Sequence, residues 1–349
     1  MIVGSTNALK TVRRHMGVHR HTVTSLFLMG TLLLAALIGV PQATAEETPR
    51  TNAFSASDIN LVVPFGQGGA TDILFRVIAE QAQTYLGTSI ITMNMPGNGA
   101  TLGSQFVKQA APNGLTLLGS HQTIDLAYIA GLSDYSHDAF APIALLTRTV
   151  NIPATVSGHT LTTASEIAAF VEQHPGELLV GIIPNSTDHF FWLHFFEQTD
   201  ISPDDIQFVR YPDTGAQVVA LLGGELDVAM LNLPSAGGLF ASGALVPLGV
   251  ASDTRLAALP EVPTLIEQGI ALVNTTDRGL FAPLNTPPER LERLAQAFEE
   301  ALQQPALVES LQHTHGSHVD FMPRDAYGRY LDAQYDQLQR LADTMAFER

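Results

Sequence analysis

The sequence predicts an α/β fold, and three observations carry the prediction. Short apolar runs alternate with amphipathic helical patterns along the chain. Several of those runs end in glycine-rich or polar turns that lead straight into a helix start. No internal repeat and no low-complexity linker interrupts the alternation. Any second domain must therefore be joined by extended strands, and residues 145–156 and 245–252 are the candidate crossings.

The first strand is expected over residues 59–65, followed by the turn Gly66-Gln67-Gly68-Gly69-Ala70 and a helix opened by Thr71. Leu74, Val77, Ile78 and Tyr85 share one side of that helix. A second strand over 90–95 meets the turn Pro96-Gly97-Asn98-Gly99-Ala100-Thr101, and a third strand lies over 115–118. Thr163 and Glu166 read as a capping box ahead of Ile167, Phe170 and Val171, with Pro175-Gly176 as the stop. Strands follow at 178–183 and 206–211. A helix over 213–223 turns Val218, Val219 and Leu222 inward and ends at Gly224. Strands at 227–231 and 245–251 complete the middle of the chain. Thr286 and Glu289 suggest a second capping box, with proline at the first helical position and a stripe of Leu291, Leu294, Ala295, Phe298 and Leu302 behind it. A last helix from about Arg324 points Tyr327, Tyr330, Leu331, Tyr335, Leu338 and Leu341 to the core.

Residues 1–45 have the form of a secretory signal peptide. Lys10, Arg13, Arg14 and Arg20 precede or border the apolar run 23–40, and Ala43-Thr44-Ala45 supplies a cut after Ala45. That leader holds four basic and no acidic residues, so its removal leaves 304 of 349 residues and moves the net charge from −17 to −21. Such a surface excludes nucleic acid and anionic membranes as partners. The chain has no cysteine, hence no disulfide scaffold and no thiolate metal site. An exported, soluble, disulfide-free chain is expected in a bacterial periplasm.

The two glycine turns are the main candidate site. Glycines at a strand-to-helix turn let backbone N–H groups converge, and the following helix adds unpaired N–H groups and the positive end of its dipole. Two such loops suit a carboxylate. The first departs from a dinucleotide fingerprint, because Thr71 stands where the third glycine belongs and no acid follows the second strand. Phe65 is a candidate for packing on a ligand's carbon skeleton. Gln67, Gly68, Gly69, Ala70, Thr71, Asn98, Gly99, Ala100 and Thr101 are candidates for hydrogen bonds. Asp72 reads as structural, paired with Arg76 one turn on. Ser120 and Thr123 would add polar lining after the third strand, and Thr214 and Gly215 would offer N–H groups from a later strand–turn–helix. Arg278 is the one cation placed near the ligand. The histidines at 313, 315 and 318 read as a solvated turn, since no supporting acidic ligand accompanies them. No metal and no cofactor is expected.

Six co-linear stretches carry a family resemblance. They are Val63-Pro64-Phe65 through Asp72 with Arg76; Pro96-Gly97-Asn98-Gly99 with Gly103; Ala111-Pro112-Asn113-Gly114-Leu115-Thr116-Leu117-Leu118; Leu221-Leu222-Gly223-Gly224-Glu225-Leu226-Asp227-Val228; Leu259-Pro260-Glu261-Val262-Pro263-Thr264-Leu265; and Arg278-Gly279-Leu280-Phe281-Ala282-Pro283. With these, the chain resembles the periplasmic receptors of tripartite tricarboxylate transporters, also called the Bug family. The resemblance implies a type II clamshell of two α/β domains joined by crossing strands. Domain 1 would comprise residues 46–147 and 254–349, and domain 2 residues 148–253. It implies a monomer that closes on a small organic di- or tricarboxylate and presents it to membrane permease subunits. In that clamshell Asn185, Ser186 and Thr187 face the cleft and grip the ligand's distal end. The chain departs from the family pattern at Pro184 through His189, in the aromatic stretch 190–196, and at Asp277, where an aromatic residue commonly stands. Two other readings stay open: a ligand-sensing module for a signalling partner, and a secreted hydrolase using His121, for which no G-x-S-x-G elbow is present.

Overall fold

The computed structural model describes residues 57–344. The expected leader and the cut after Ala45 lie outside the described residues. The chain opens with β1 (Ile59–Val63), α1 (Ala70–Leu86), β2 (Ile90–Asn94), α2 (Thr101–Lys108), β3 (Thr116–Ser120), α3 (Thr123–Ile129) and β4 (Phe140–Val150). It continues with β5 (Ile152–Val156), α4 (Glu166–Gln173), β6 (Leu179–Ile182), α5 (Thr187–Gln198), β7 (Gln207–Arg210), α6 (Thr214–Gly223), β8 (Val228–Leu231), α7 (Leu233–Ser242) and β9 (Leu245–Pro247). It ends with β10 (Thr275–Pro283), α8 (Pro288–Leu302), α9 (Pro305–Glu309), β11 (His318–Pro323) and α10 (Arg324–Thr344).

Two sheets result. The first has six strands in the order β11-β4-β10-β3-β1-β2, and the second has five in the order β7-β6-β8-β5-β9. In the first, β1 runs parallel to β2 and β3, while β10 is antiparallel to both β3 and β4. In the second, β6 is parallel to β7 and β8, and β5 is antiparallel to β8 and β9. The α/β expectation is met, and each predicted strand falls within a residue or two of an observed one, except that the expected strand 245–251 is shortened to β9.

The chain passes between the sheets at Asn151, between β4 and β5, as expected. It does not return through residues 245–252. Leu265, Ile270 and Leu272 pack in the core of the second sheet, and the return comes at Asn274, just before β10. The two crossings are bonded to each other: Asn151 N–H donates to the Asn274 carbonyl at 3.1 Å, and Asn151 Nδ2 to Asn274 Oδ1 at 2.6 Å.

Three local expectations are corrected. On α6, Val219 and Leu222 are exposed, at 70% and 45%, and Gln217, Ala220 and Leu221 are buried instead. The hydrogen bond from Gln217 Nε2 to the buried Asp188 fixes that face inward. Thr286 does not cap α8: Pro287 occupies the cap position, and the Thr286 hydroxyl donates to the Pro283 carbonyl at 2.8 Å. At α4 only half of the capping box forms. Glu166 accepts from the Thr163 N–H at 3.0 Å, but the Thr163 hydroxyl turns to Ser165. The aromatic stretch on α5 is core, with Phe191, Trp192, Phe195 and Phe196 fully buried against the second sheet. Burying one such Phe contributes about 1.5–3 kcal/mol.

Candidate functional site

The carboxyl ends of the parallel strands β1, β2 and β3 all feed one region, as open α/β sheets do at their ligand crevices. Asp72, in the first turn of α1, organises it. Its carboxylate accepts from Gly68 N–H (2.8 Å), Arg76 Nε (2.8 Å) and Asn94 Nδ2 (2.9 Å). Asn94 Nδ2 also donates to the Phe65 carbonyl at 3.0 Å, and Arg76 Nη2 donates to Asn94 Oδ1 at 2.7 Å. Burial opposes the charge on Asp72, but Arg76, the Gly68 N–H and Asn94 outweigh it and hold the carboxyl below its ordinary range. One buried acid thus braces both glycine turns, and it is structural as expected.

The second turn is strained. Asn98 and Ala100 adopt φ of 49° and 71°, a left-handed conformation that side chains disfavour. Asn185, on the opposite side of the cavity, has φ of 59°. Among the described residues these are three of five non-glycine positions with positive φ, and such strain gathers at ligand clamps. Gly103 lets α2 approach closely, because a Cβ there would lie 2.9 Å from both the Met95 carbonyl and Pro64 Cβ. Thr101 turns back to brace the loop, exchanging hydrogen bonds of 2.8 Å with Asn98.

The turn after β3 adds His121, whose ring stacks on Phe65 at 4.5 Å and 11°. Its Nδ1 accepts from the Thr123 N–H at 3.4 Å and lies 2.9 Å from the Thr123 hydroxyl. Burial, and then the nearby Arg278, push its pKa well below the ordinary histidine value. His121 is therefore neutral, with its proton on Nε2. Gln122 joins this turn to β10, donating to the Thr275 carbonyl at 2.9 Å and accepting from Asp277 N–H at 3.1 Å.

Arg278 on β10 is 3% exposed. Its Nε donates to Thr71 Oγ1 at 3.0 Å, and its Nη1 to Thr149 Oγ1 at 2.7 Å and to the Thr276 carbonyl at 3.3 Å. Every acceptor is a neutral oxygen, and Nη2 has no hydrogen-bond partner among the described residues. Burial lowers its pKa to about 10, which leaves it charged at neutral pH. Strand alternation sends the neighbouring Asp277 the other way. Asp277 accepts from Thr275 at 2.5 Å, from Tyr330, and from Gln334 at 3.1 Å, and lies 3.7 Å from Arg148.

The facing wall comes from the second sheet. Ser186 caps α5 by accepting from the Asp188 N–H at 3.2 Å. Asp213 caps α6 by accepting from the Ala216 N–H at 2.9 Å. Asn232 and Ser235 form a full capping box on α7, which the sequence reading missed. The signal was legible: asparagine, proline and serine directly after a strand repeat the logic of the other turns.

These turns enclose a cavity of about 790 Å³. Phe65, Gln67, Gly68, Gly69, Ala70, Thr71, Asn98, Gly99, Ala100 and Thr123 line it from the first side, with Arg278, and Asn185, Ser186, Thr187, Thr214 and Gly215 line it from the second. Of the sequence candidates, Thr101 and Ser120 do not line it. Thr101 is spent on the loop, and Ser120 is wholly buried beneath it, its hydroxyl without a partner among the described residues. His121, Tyr211, Asn232, Ser235 and Thr276 also line it and were not among the site residues chosen from sequence. Among the described residues His121 is hydrogen-bonded to Thr123 alone, with neither a carboxylate nor Ser120 as a partner.

Outside the cavity, His313 lies on a π-helical turn over Ser310–Thr314, and His318 starts β11; both are exposed. Among the described residues no group of side chains could hold a metal ion, and no helix is long and apolar enough to cross a membrane.

Comparison with known proteins agrees with this architecture. A protein of Cupriavidus necator known as the UPF0065 protein in the gbd 5′ region is 30% identical over 310 residues, covering 84% of this chain and 87% of its own. The structure of MatC from Rhodopseudomonas palustris with bound malate is similar at a TM-score of 0.72 and 28% identity, covering 81% of this chain and 98% of that one. Rpa4515 of R. palustris, solved with adipate, shares the fold at a TM-score of 0.77 and 23% identity, covering 83% and 98%. The profile described as "Tripartite tricarboxylate transporter family receptor" matches residues 74–346, and the chain therefore belongs to that family of solute-binding receptors.

Proposed function

We propose that this chain is a periplasmic receptor that captures a small organic acid and delivers it to the membrane subunits of a tripartite tricarboxylate-type transporter. Arg278 carries the reading. A buried guanidinium whose hydrogen bonds all go to neutral oxygens has no counter-charge within hydrogen-bond reach among the described residues. The neighbouring Asp277 favours its charge through space but is itself bonded to Thr275, Tyr330 and Gln334, and an incompletely paired buried charge is costly. A ligand carboxylate supplies that counter-charge beside the glycine turns. The malate held by MatC supports a carboxylate as the ligand class.

In this reading residues 1–45 are a leader cut after Ala45, and the mature chain works as a monomer of two lobes. The lobes turn about Asn151 and Asn274, and a ligand that binds the closed arrangement more tightly drives closure. Calorimetric titration of the mature chain with a panel of organic acids tests the proposal. At least one acid is expected to bind, and Arg278→Gln should weaken it by about 30-fold or more, since removing one partner of a buried charge pair costs roughly 2–5 kcal/mol. Unchanged affinity in a variant with native circular dichroism would refute it.

A further inference from the structure

The two walls of the cavity carry opposite charge. On the first wall Asp72 is matched by Arg76 at 2.8 Å and Asp277 by Arg148 at 3.7 Å, which leaves Arg278 as the charged residue that lines the cavity there. On the second wall the lining contains Asp188 and Asp213 and neither lysine nor arginine. Helix N-termini attract anions, but on this wall two of them already lie beside carboxylates of the chain itself. Asp213 caps α6, and Asp188 lies in the first turn of α5. Asp188 is 2% exposed and accepts from the Ile183 N–H at 3.0 Å and from Gln217 Nε2 at 2.9 Å, so no cation is among its hydrogen-bond partners. Burial pushes its carboxyl up to about 7, so its charge, and with it the repulsion of a second carboxylate, grows as pH rises through that value.

We infer that the ligand bears a single carboxylate, held at the first wall, and that its far end is a neutral or cationic hydrogen-bond donor, with Asp188 as the residue that selects against a second carboxylate. The inference rests on the carboxylate-receptor reading and narrows its substrate class to ω-amides and ω-amines of small acids. The hydroxyl of Thr187 and the amide oxygen of Asn185 are neutral acceptors available to such a group. A second carboxylate would meet the charge of Asp188 with little water between to screen it.

Matched pairs isolate the far end. Succinate and succinamate, glutarate and glutaramate, and adipate and adipamate differ only by carboxylate against amide; 4-aminobutanoate, 5-aminopentanoate and 6-aminohexanoate add the cationic series. Titrated calorimetrically into the mature chain at pH 8, the amide or amine of the best length should bind at least about tenfold tighter than its dicarboxylate. D188N should strengthen the dicarboxylate by about tenfold and erase most of the preference for the amide. That variant is expected to fold, because the Gln217 Oε1 is unpartnered and can accept from the new amide after a flip of its own. Should D188N fail to fold, Asp188→Glu, which keeps the charge, should preserve the preference for the amide. Dicarboxylate and amide binding equally, or a preference that survives D188N unchanged, overturns the inference while the receptor reading stands. Binding of none of these compounds also overturns the inference, and binding of no acid in the wider panel brings down the receptor reading with it.

Discussion

Ala100 shows how much of this site is stored in single backbone angles. Its φ of 71° makes proline there incompatible, since proline fixes φ near −65° and would break the turn as well as remove an N–H. Glycine is the informative replacement. A left-handed alanine costs roughly 1–2 kcal/mol and the added freedom of glycine when unfolded returns part of that, so Ala100→Gly should stabilise the chain by about 0.5–1 kcal/mol in urea unfolding. Turn chemistry is local and written in residue type, so the sequence named twelve candidates around the cavity besides Arg278, while Asn185, Ser186 and Thr187 came from the family resemblance. It could not show that Thr101 and Ser120 face elsewhere, because hydroxyl direction depends on partners far along the chain. Nor could it show that Arg278 has no hydrogen-bonded carboxylate among the described residues, which only the packing of β10 against Thr71 and Thr149 reveals.

Among elements, β1, β2, β3, β6, β7 and β8 and helices α1, α4, α6, α8 and α10 were legible from periodicity, whereas α3, α7, α9 and β10 were not anticipated and α6 was placed out of phase. α6 turned out rotated because a polar residue, Gln217, is drawn inward to Asp188, which an apolar stripe alone cannot anticipate. α3 and α10 illustrate a junction no periodicity predicts. His137 lies between them, with Nδ1 2.9 Å from Asp125 on α3 and Nε2 3.2 Å from Asp332 on α10. Burial lowers the affinity of this ring for a proton, but Asp125 and Asp332 outweigh burial and raise its pKa above the ordinary value. A histidine whose folded pKa is raised stabilises the fold fully below the unfolded value, and the gain is lost as pH rises through the folded one. His137→Gln should therefore lower the melting temperature more at pH 6 than at pH 9. An equal loss at both would show that the ring acts by packing alone.

At the scale of the whole molecule, the proposed closure has a direct measure. Addition of a bound acid should reduce the radius of gyration in small-angle scattering, with an excess of ligand producing no further change. Binding without compaction, in a chain whose free form is shown to be open, would remove the clamshell motion. The α/β class and the outward passage at Asn151 were readable from sequence. The return at Asn274 was not, because residues 252–274 form no regular strand and their allegiance is decided by burial of Leu265, Ile270 and Leu272.

The register of β4 and β10 has a consequence for how the molecule is put together. These strands are antiparallel neighbours, and Val150 pairs with Thr275, the residues at which the chain leaves the first sheet and comes back to it. Topologically the entire second sheet and its helices are an insertion at the tip of a β-hairpin. A two-residue turn such as Asn-Gly could splice Val150 to Thr275 and leave all six strands of the first sheet in place. The spliced chain would keep Arg278 and both glycine turns while losing the wall that carries Asp188, so half of the recognition surface is, in principle, a separable minimal protein.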